Sequence, residues 1–298
     1  MGAPALARGA LHRRVRGAHR ARLPPARGGV VTRRRGLPGW ATQILSVLAA
    51  LAGIGVIWTF VSLVVLSPER RFLLPPPHEV LATLGNPTIM QPMLAALGRT
   101  SLVALLGLAL AVVIGLAWAV VMAQSRWAER ILYPYAVILQ TVPILALTPL
   151  IGIWFGYGIP ARVVVAVIIA IFPVISNTFF GLTSAPSRAS HDLFTLARAT
   201  RWQRLTKLQA PAAVPSVFTG LRTAAGLSVI GAIVGDFFFQ QGDVGIGGLL
   251  RVYTLRLNME ALLTAVGLTA LFGVVVFSVF AALDRAVVGR WYGSPAGR

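Results

Sequence analysis

The residues of this chain that could carry out chemistry are few and widely spaced. The 298-residue sequence has no cysteine, which excludes disulfides, thiolate metal sites and cysteine nucleophiles. Its four histidines, His12, His19, His78 and His191, are too scattered to form a metal-ligand cluster by spacing. The single lysine, Lys207, follows no glycine-rich loop, so the G-x-x-x-x-G-K-[ST] pattern that binds nucleotide phosphates is absent. We therefore expect no catalytic residue, no cofactor and no metal on this chain.

The elements that carry these residues are predicted to be membrane-spanning helices. Hydrophobic residues make up 56% of the sequence and charged residues only 12%, which exceeds what a soluble domain of this length buries. Six apolar runs each reach the ~20 residues that a spanning helix needs, at about 41–66, 99–123, 131–156, 161–184, 217–239 and 261–283. The fold class is thus all-α, a polytopic membrane protein with six transmembrane helices.

The basic residues predict how these helices are oriented. The formal net charge is +19, but ten of the 27 lysines and arginines lie in residues 1–40 and most others lie between apolar runs, so the charge reports topology and not nucleic-acid binding. Only six lie on the opposite side: Arg70, Arg71, Arg99, Arg162, Arg251 and Arg256. By the positive-inside rule, both termini and the 185–216 loop are cytoplasmic.

Five segments follow from this topology. Residues 1–40 are a basic, disordered cytoplasmic tail held near anionic lipid, or in part an over-extended gene start. The first transmembrane helix at 41–66 precedes an external loop at 67–98. Residues 99–284 contain five further helices and the 185–216 loop, and a cytoplasmic C-terminal tail occupies 285–298.

A polar and basic island lies between the fourth and fifth runs, reading HDLFTLARATRWQRLTKLQAPAAVPSVFTGLR from His191 to Arg222. Trp202, Leu205 and Leu208 recur at helical spacing, and Arg201, Arg204 and Lys207 form a parallel stripe one residue before them. We expect a break near residues 197–200, and we expect Pro211 and Pro215 to stop a helix from running unbroken into the next span. The alternative reading is a solvated loop whose charges only fix the topology.

The island resembles the coupling loop in the membrane-spanning permease subunit of a bacterial ABC importer. The similarity is to the branch for nitrate, sulfonate, taurine, pyrimidine and riboflavin solutes, and it rests on Ala199–Gln203, Ala210–Pro215 and Phe218–Arg222. Asp192-Leu193-Phe194 stands where that family has Glu-Ala-Ala, and Arg198 stands where it has glycine. The resemblance covers about residues 100–285 and implies the type I ABC importer permease fold.

The resemblance implies that this loop docks on a separate ATPase subunit, where ATP and Mg²⁺ would bind. The candidate ATPase-coupling residues are Asp192, Arg198, Arg201, Trp202, Arg204, Leu205, Lys207, Pro211, Pro215 and Gly220. It also implies a homodimer in the bacterial cell membrane and an external solute-binding protein, since the external connections are too short to form a capture domain. Gly242–Leu250 resembles an outer re-entrant or interfacial segment of the family; a flexible loop is the alternative.

Polar residues and prolines inside apolar runs indicate where a solute would cross. Prolines are tolerated in membrane helices where neighbours or a water-filled cavity satisfy the freed carbonyls. The candidate translocation residues are Gln140, Thr141, Pro143, Ser176, Asn177, Ser228 and Asp236. Ordinary packing between helices, with amide side chains hydrogen-bonded across them, is the alternative.

The pattern favours an uncharged solute. Arg99, Arg162 and Arg222 are predicted at helix ends, so an anion would meet amides and hydroxyls but no full positive charge. Asp236 is the one acid inside a span, near its outer end, where gating, packing or solute contact are the alternatives. The amino-acid sequence at Gln140–Pro143 and Ser228–Asp236 also resembles importers of thiamine-precursor pyrimidines or riboflavin more than importers of nitrate, sulfonate or taurine. The remaining alternatives are an ion-coupled secondary transporter, which usually shows coupled intramembrane carboxylates, and a membrane scaffold without transport.

Overall fold

Every regular element that the structure describes is a helix. The computed structural model describes residues 39–292, so the predicted tail at 1–40 lies almost entirely outside it, as does the end of the C-terminal tail. The α-helices are α1 Gly39–Phe60, α2 Pro77–Ala82, α3 Pro87–Gln124, α4 Arg126–Thr141, α5 Ile144–Phe155, α6 Ile159–Ser184, α7 Arg188–Leu196, α8 Arg201–Arg204, α9 Ala210–Phe238, α10 Ile246–Leu255 and α11 Met259–Tyr292. The predicted all-α class is confirmed.

Residues 39–292 contain five membrane-crossing stretches, or six if a bent helix pair counts as one span. Five stretches are long and apolar enough to span alone, namely 45–65, 87–124, 159–184, 201–238 and 259–289. The sixth is the pair α4 and α5, which are bent by 100° at a short break. Pro143 lies at this break and not inside a continuous helix as predicted, because the residue before a proline favours extended backbone, which Val142 adopts.

Helix α3 starts well before residue 99, where the sequence placed the start of the second span. Pro87 occupies its first turn, and the side chain of Asn86 accepts a hydrogen bond from the Thr88 backbone N–H at 3.1 Å. Proline at the first position and an asparagine cap are both favourable for a helix start. The predicted external loop at 67–98 is therefore mostly short helical turns and the first turns of α3.

The expectation that Pro211 and Pro215 end the helix before the fifth span is wrong. Helical structure continues from Arg201 to Phe238. A π-helical segment, Leu205–Gln209, precedes α9, and the Ala210 N–H donates to the Leu205 carbonyl. Because i→i+5 bonding admits an extra residue per turn, the segment accommodates Pro211 in the first turn of α9 without a break.

Helices α6 and α9 form the most extensive helix pair of the unit formed by residues 52–298. A second unit, residues 1–51, contributes the start of α1. A Cβ placed on Gly231 of α9 would lie 2.6 Å from the Ala166 Cα of α6, and one on Gly107 of α3 would lie 2.5 Å from the Ala166 Cβ. Glycine therefore lets three helices approach closely at Ala166.

We predict that Gly231→Ala destabilises the protein by about 1–3 kcal/mol, because the new methyl group meets the backbone of α6 and overpacks the contact. Thermal unfolding of the detergent-purified protein measures the change. Gly226→Ala is the matched control, since a Cβ at Gly226 of the same helix meets nothing within 4 Å. Equal stability of the two variants would contradict the packing explanation.

Candidate functional site

The predicted break in the island lies between α7 and α8. The Ala199 N–H donates to the Phe194 carbonyl at 3.0 Å, and Arg198 adopts a positive φ of 47°. The Thr200 hydroxyl accepts from the Gln203 N–H at 3.2 Å, while the Gln203 side chain accepts from the Thr200 N–H at 2.9 Å. This reciprocal capping box fixes the start of α8. The T-x-x-Q spacing signals it in the sequence, although our sequence reasoning did not use it.

Helices α7 and α8 with the turn between them form an elbow, which presents large apolar side chains together with basic ones. Trp202 is 70% exposed and Leu196 is 83% exposed, and both lie beside the basic residues of the island. Arg204 donates to the Thr195 hydroxyl at 3.1 Å and so connects α8 to α7. We use the name elbow surface for the following exposed residues of this region: Asp192, Leu193, Leu196, Arg198, Arg201, Trp202, Lys207 and Pro211.

Three of the candidate coupling residues lie elsewhere. Leu205 is 7% exposed and packs against Leu182 and Ala213, so it does not continue an exposed ridge from Trp202. Leu205 begins the π-helical turn and faces the bundle, whereas Trp202, three residues earlier, is exposed. Gly220 is buried where a Cβ would lie 2.8 Å from the Pro173 carbonyl oxygen, and Pro215 is half-buried inside α9.

A cavity of about 290 Å³ lies at the bend between α4 and α5. Its lining includes Gln140 and Val142, which flank Thr141, and Pro173 of α6. Apart from the Gln140 amide, its lining side chains are apolar: Leu139, Val142, Ile144, Ile168, Ile169, Phe172, Pro173 and Leu227. Thr141 and Pro143 are exposed next to this cavity. The bend therefore brings together part of the predicted translocation set.

A second cavity, of about 670 Å³, lies where α3 ends, α4 begins and α6 ends. Ser176 lines it, about one turn along α6 from Pro173. Tyr133 of α4 also lines it and packs against Phe179 with ring centroids 6.3 Å apart. The two cavities thus follow one another along α4 and α6.

The other candidate translocation residues make local or structural contacts. Asn177 donates to the Pro173 carbonyl of its own helix at 2.9 Å, and Ser228 is buried and donates to the Ala225 carbonyl at 2.9 Å. Asp236 is 1% exposed and forms an ion pair with Arg162 at 3.3 Å. Asp236 therefore has a charged partner on α6, which the sequence analysis did not predict.

Sequence reasoning missed Arg162, which is the largest fully buried side chain among residues 39–292. It does fall near the start of α6, as predicted, but Arg99 and Arg222 lie inside α3 and α9 and not at helix ends. Arg222 stacks over the Phe277 ring at 4.4 Å. The misplacement followed from helix starts that lie many residues before the predicted ones.

We predict that Asp236→Asn lowers the free energy of unfolding by about 3–5 kcal/mol, because it leaves the Arg162 charge buried without its partner. Thermal unfolding of the purified protein reports the loss. Asp243→Asn is the control: this acid pairs with Arg99 at 3.6 Å but is 82% exposed, so its change should stay below about 1 kcal/mol. A stable Asp236→Asn protein that has lost only transport would contradict this structural role.

Comparisons with known proteins agree with this architecture. Residues 111–289 match the family model described as "Binding-protein-dependent transport system inner membrane component". A riboflavin transport system permease protein from Chloroflexus aurantiacus is 37% identical over 235 residues, covering 78% of this chain and 85% of the relative. A formylaminopyrimidine transport permease protein from Halalkalibacterium halodurans is 32% identical over 234 residues, covering 78% and 90%.

Other relatives are named for anions. A putative aliphatic sulfonates transport permease protein from Escherichia coli is 31% identical over 224 residues, covering 74% of this chain and 82% of the relative. The match to the family model spans more than half of the chain and includes the bent pair, the elbow and both cavity-lining helices. The chain therefore belongs to the binding-protein-dependent transport system inner membrane components, as a multi-pass permease subunit of an ABC importer.

Proposed function

We propose that the chain forms the solute pathway of an ATP-driven importer along the α4–α6 face. The observation that carries this proposal is the succession of two cavities, one at the α4–α5 bend and one at the elbow end of α6. Gln140 and Ser176 supply polar groups to them, and Pro173 lies between. Broken helices at membrane depth are tolerated where they line such cavities, which supports placing the pathway there.

We further propose that two copies pair and that the elbow surface docks on a separate ATPase subunit. Both cavities are lined by helices of this chain from one side, so a second copy would supply the opposite wall. The elbow surface combines an exposed tryptophan with basic side chains, a composition suited to an interface. ATP and Mg²⁺ would act on the ATPase subunit, with the elbow and both termini on the cytoplasmic side of a bacterial cell membrane and the binding protein outside.

The solute we propose is an uncharged heterocycle of the riboflavin or thiamine-precursor pyrimidine class. The cavity at the bend offers one amide and otherwise apolar surface, which suits a neutral planar solute better than an ion that must lose its hydration. The relatives named for riboflavin and formylaminopyrimidine transport support the same choice.

A small anion is the second candidate, and Arg222 is the observation that favours it. This arginine lies inside α9 at a groove of about 730 Å³ that Thr223 and Thr269 also line. The relative named for aliphatic sulfonates, and others named for nitrate and bicarbonate, support this candidate. Under this alternative, Arg222 would supply the positive charge that the bend lacks.

Uptake into liposomes that contain the reconstituted complex tests the proposed solute. We expect labelled riboflavin or pyrimidine to enter in an ATP-dependent way, and Gln140→Ala to reduce that uptake by about tenfold, as the loss of one buried hydrogen bond can. Arg222→Gln is the control and should leave heterocycle uptake intact. Uptake of nitrate or an alkanesulfonate alone, abolished by Arg222→Gln, would select the anion instead.

We predict that Trp202→Ala weakens association with the ATPase subunit by about 2 kcal/mol or more, because truncating an aromatic anchor removes a large share of interface energy. Co-purification of the ATPase and its hydrolysis rate in the complex measure the effect. Trp127→Ala is matched to it, since Trp127 is 75% exposed in the first turn of α4, near the same end of the helices. Docking through the elbow is refuted if both variants bind the ATPase equally well.

A further inference from the structure

The Arg162 guanidinium holds the backbone of the segment between α9 and α10. Its Nε donates to the Phe239 carbonyl at 2.8 Å, its Nη2 to the Gln241 carbonyl at 3.0 Å and its Nη1 to the Asp243 carbonyl at 2.9 Å. The same Nη1 lies 3.3 Å from Asp236 Oδ1. A single side chain of α6 therefore binds three backbone carbonyls and the single acid of α9.

The Asp236 carboxylate extends this network to α10. The Thr100 hydroxyl of α3 donates to Asp236 Oδ2 at 2.5 Å and accepts from the Ile246 N–H at 2.9 Å, and Ile246 is the first residue of α10. A Cβ on Gly245 would collide with this carboxylate, so the chain approaches it as closely as a glycine permits. The Thr100 hydroxyl thus connects the first residue of α10 to Asp236, and Gly245 packs against the same carboxylate.

Asp236 also lies at one end of a long helical connection that starts at the elbow. Helical structure is continuous from Arg201 to Phe238, a stretch of 38 residues that is about 57 Å long. Trp202 of the elbow surface is the second residue of this stretch, and Asp236 lies two residues before its end. Any displacement of the elbow along this helix reaches Asp236, and with it the attached segment.

We propose that the Arg162–Asp236 pair joins α10 to the helix at 201–238 and fixes its position there. Movement at the ATPase-facing elbow is thereby passed to α10 at the opposite end of this helix. The proposal rests on the proposed function. An apolar contact would hold two helices together at lower cost than charges in a membrane. A buried, fully hydrogen-bonded pair instead selects one defined arrangement of the loop, which transmission requires.

A cysteine reporter on α10 tests this transmission in the complex with its ATPase subunits. The chain has no cysteine of its own, and Leu255 is 74% exposed at the end of α10, so Leu255→Cys gives a unique site on this chain for a maleimide. We expect ATP with vanadate to change its labelling rate about fivefold or more, the lower end of typical coupling between sites. A second reporter, Gln140→Cys, follows the pathway itself.

Two variants break the network in different ways. Arg162→Lys keeps the charge but cannot reproduce the planar fork that reaches three carbonyls. Thr100→Val keeps the shape but removes the hydroxyl between Asp236 and Ile246, and it decides the matter if the lysine variant does not accumulate. In both variants we expect ATP with vanadate to change the labelling rate of Leu255→Cys by less than about twofold, while the labelling rate of Gln140→Cys still changes.

Arg99→Gln is the matched control, because Arg99 donates to the Val244 carbonyl of the same segment at 3.0 Å from α3 without contacting Asp236. In the Arg99→Gln chain, ATP with vanadate should change the labelling rate of Leu255→Cys as much as it does without this substitution. The proposal is overturned if the network variants keep the full Leu255→Cys response, if Arg99→Gln loses it equally, or if only Gln140→Cys responds in the otherwise unchanged chain. Absence of any response at either reporter would overturn the proposed function, and the transmission with it.

Discussion

The close approach of three helices at Ala166 is the constraint on which the arrangement of the remaining elements depends. Gly107 of α3 and Gly231 of α9 contact Ala166 from two sides, so no side chain larger than the Ala166 methyl group separates the helix backbones there. Association of helices in a membrane relies on such packing and on polar contacts, since lipid is as apolar as the side chains it replaces. One turn before Ala166 on α6, the backbone of Arg162 packs against Gly235 of α9. Close glycine packing between α6 and α9 therefore also positions the buried charge.

The buried charge sets the arrangement at the other side of the molecule from the elbow. A guanidinium without partners is expensive in a membrane, and Arg162 is tolerated because backbone carbonyls and Asp236 take up its donors. The three carbonyls belong to the segment between α9 and α10, which has no long regular structure of its own. Its conformation is therefore determined by a side chain of α6, and α10 begins where that network ends.

Much of the fold could be predicted from the sequence, because apolar runs of spanning length and the helical spacing of side chains in the island are local signals. The spans and the break before α8 were recovered in this way. Pro211 misled the prediction because a π-helical turn can absorb a proline, and nothing in the composition of residues 205–209 announces such a turn. The Arg162–Asp236 pair joins residues 74 positions apart, so only the packing of α6 on α9 reveals it. Of the candidate pathway residues, Gln140 and Ser176 line cavities, whereas Asn177 and Ser228 bond to their own helices.

The π-helical turn at Leu205–Gln209 has a consequence for how such a permease can change over evolutionary time. One extra residue in a helix rotates everything before it by about 100° relative to everything after it. Gain or loss of this turn would re-aim Trp202 around the helix axis while the register of α9 against α6 stays the same. A single-residue insertion or deletion at this turn would thus turn the elbow surface toward a different direction without changing the packing of α9 on α6.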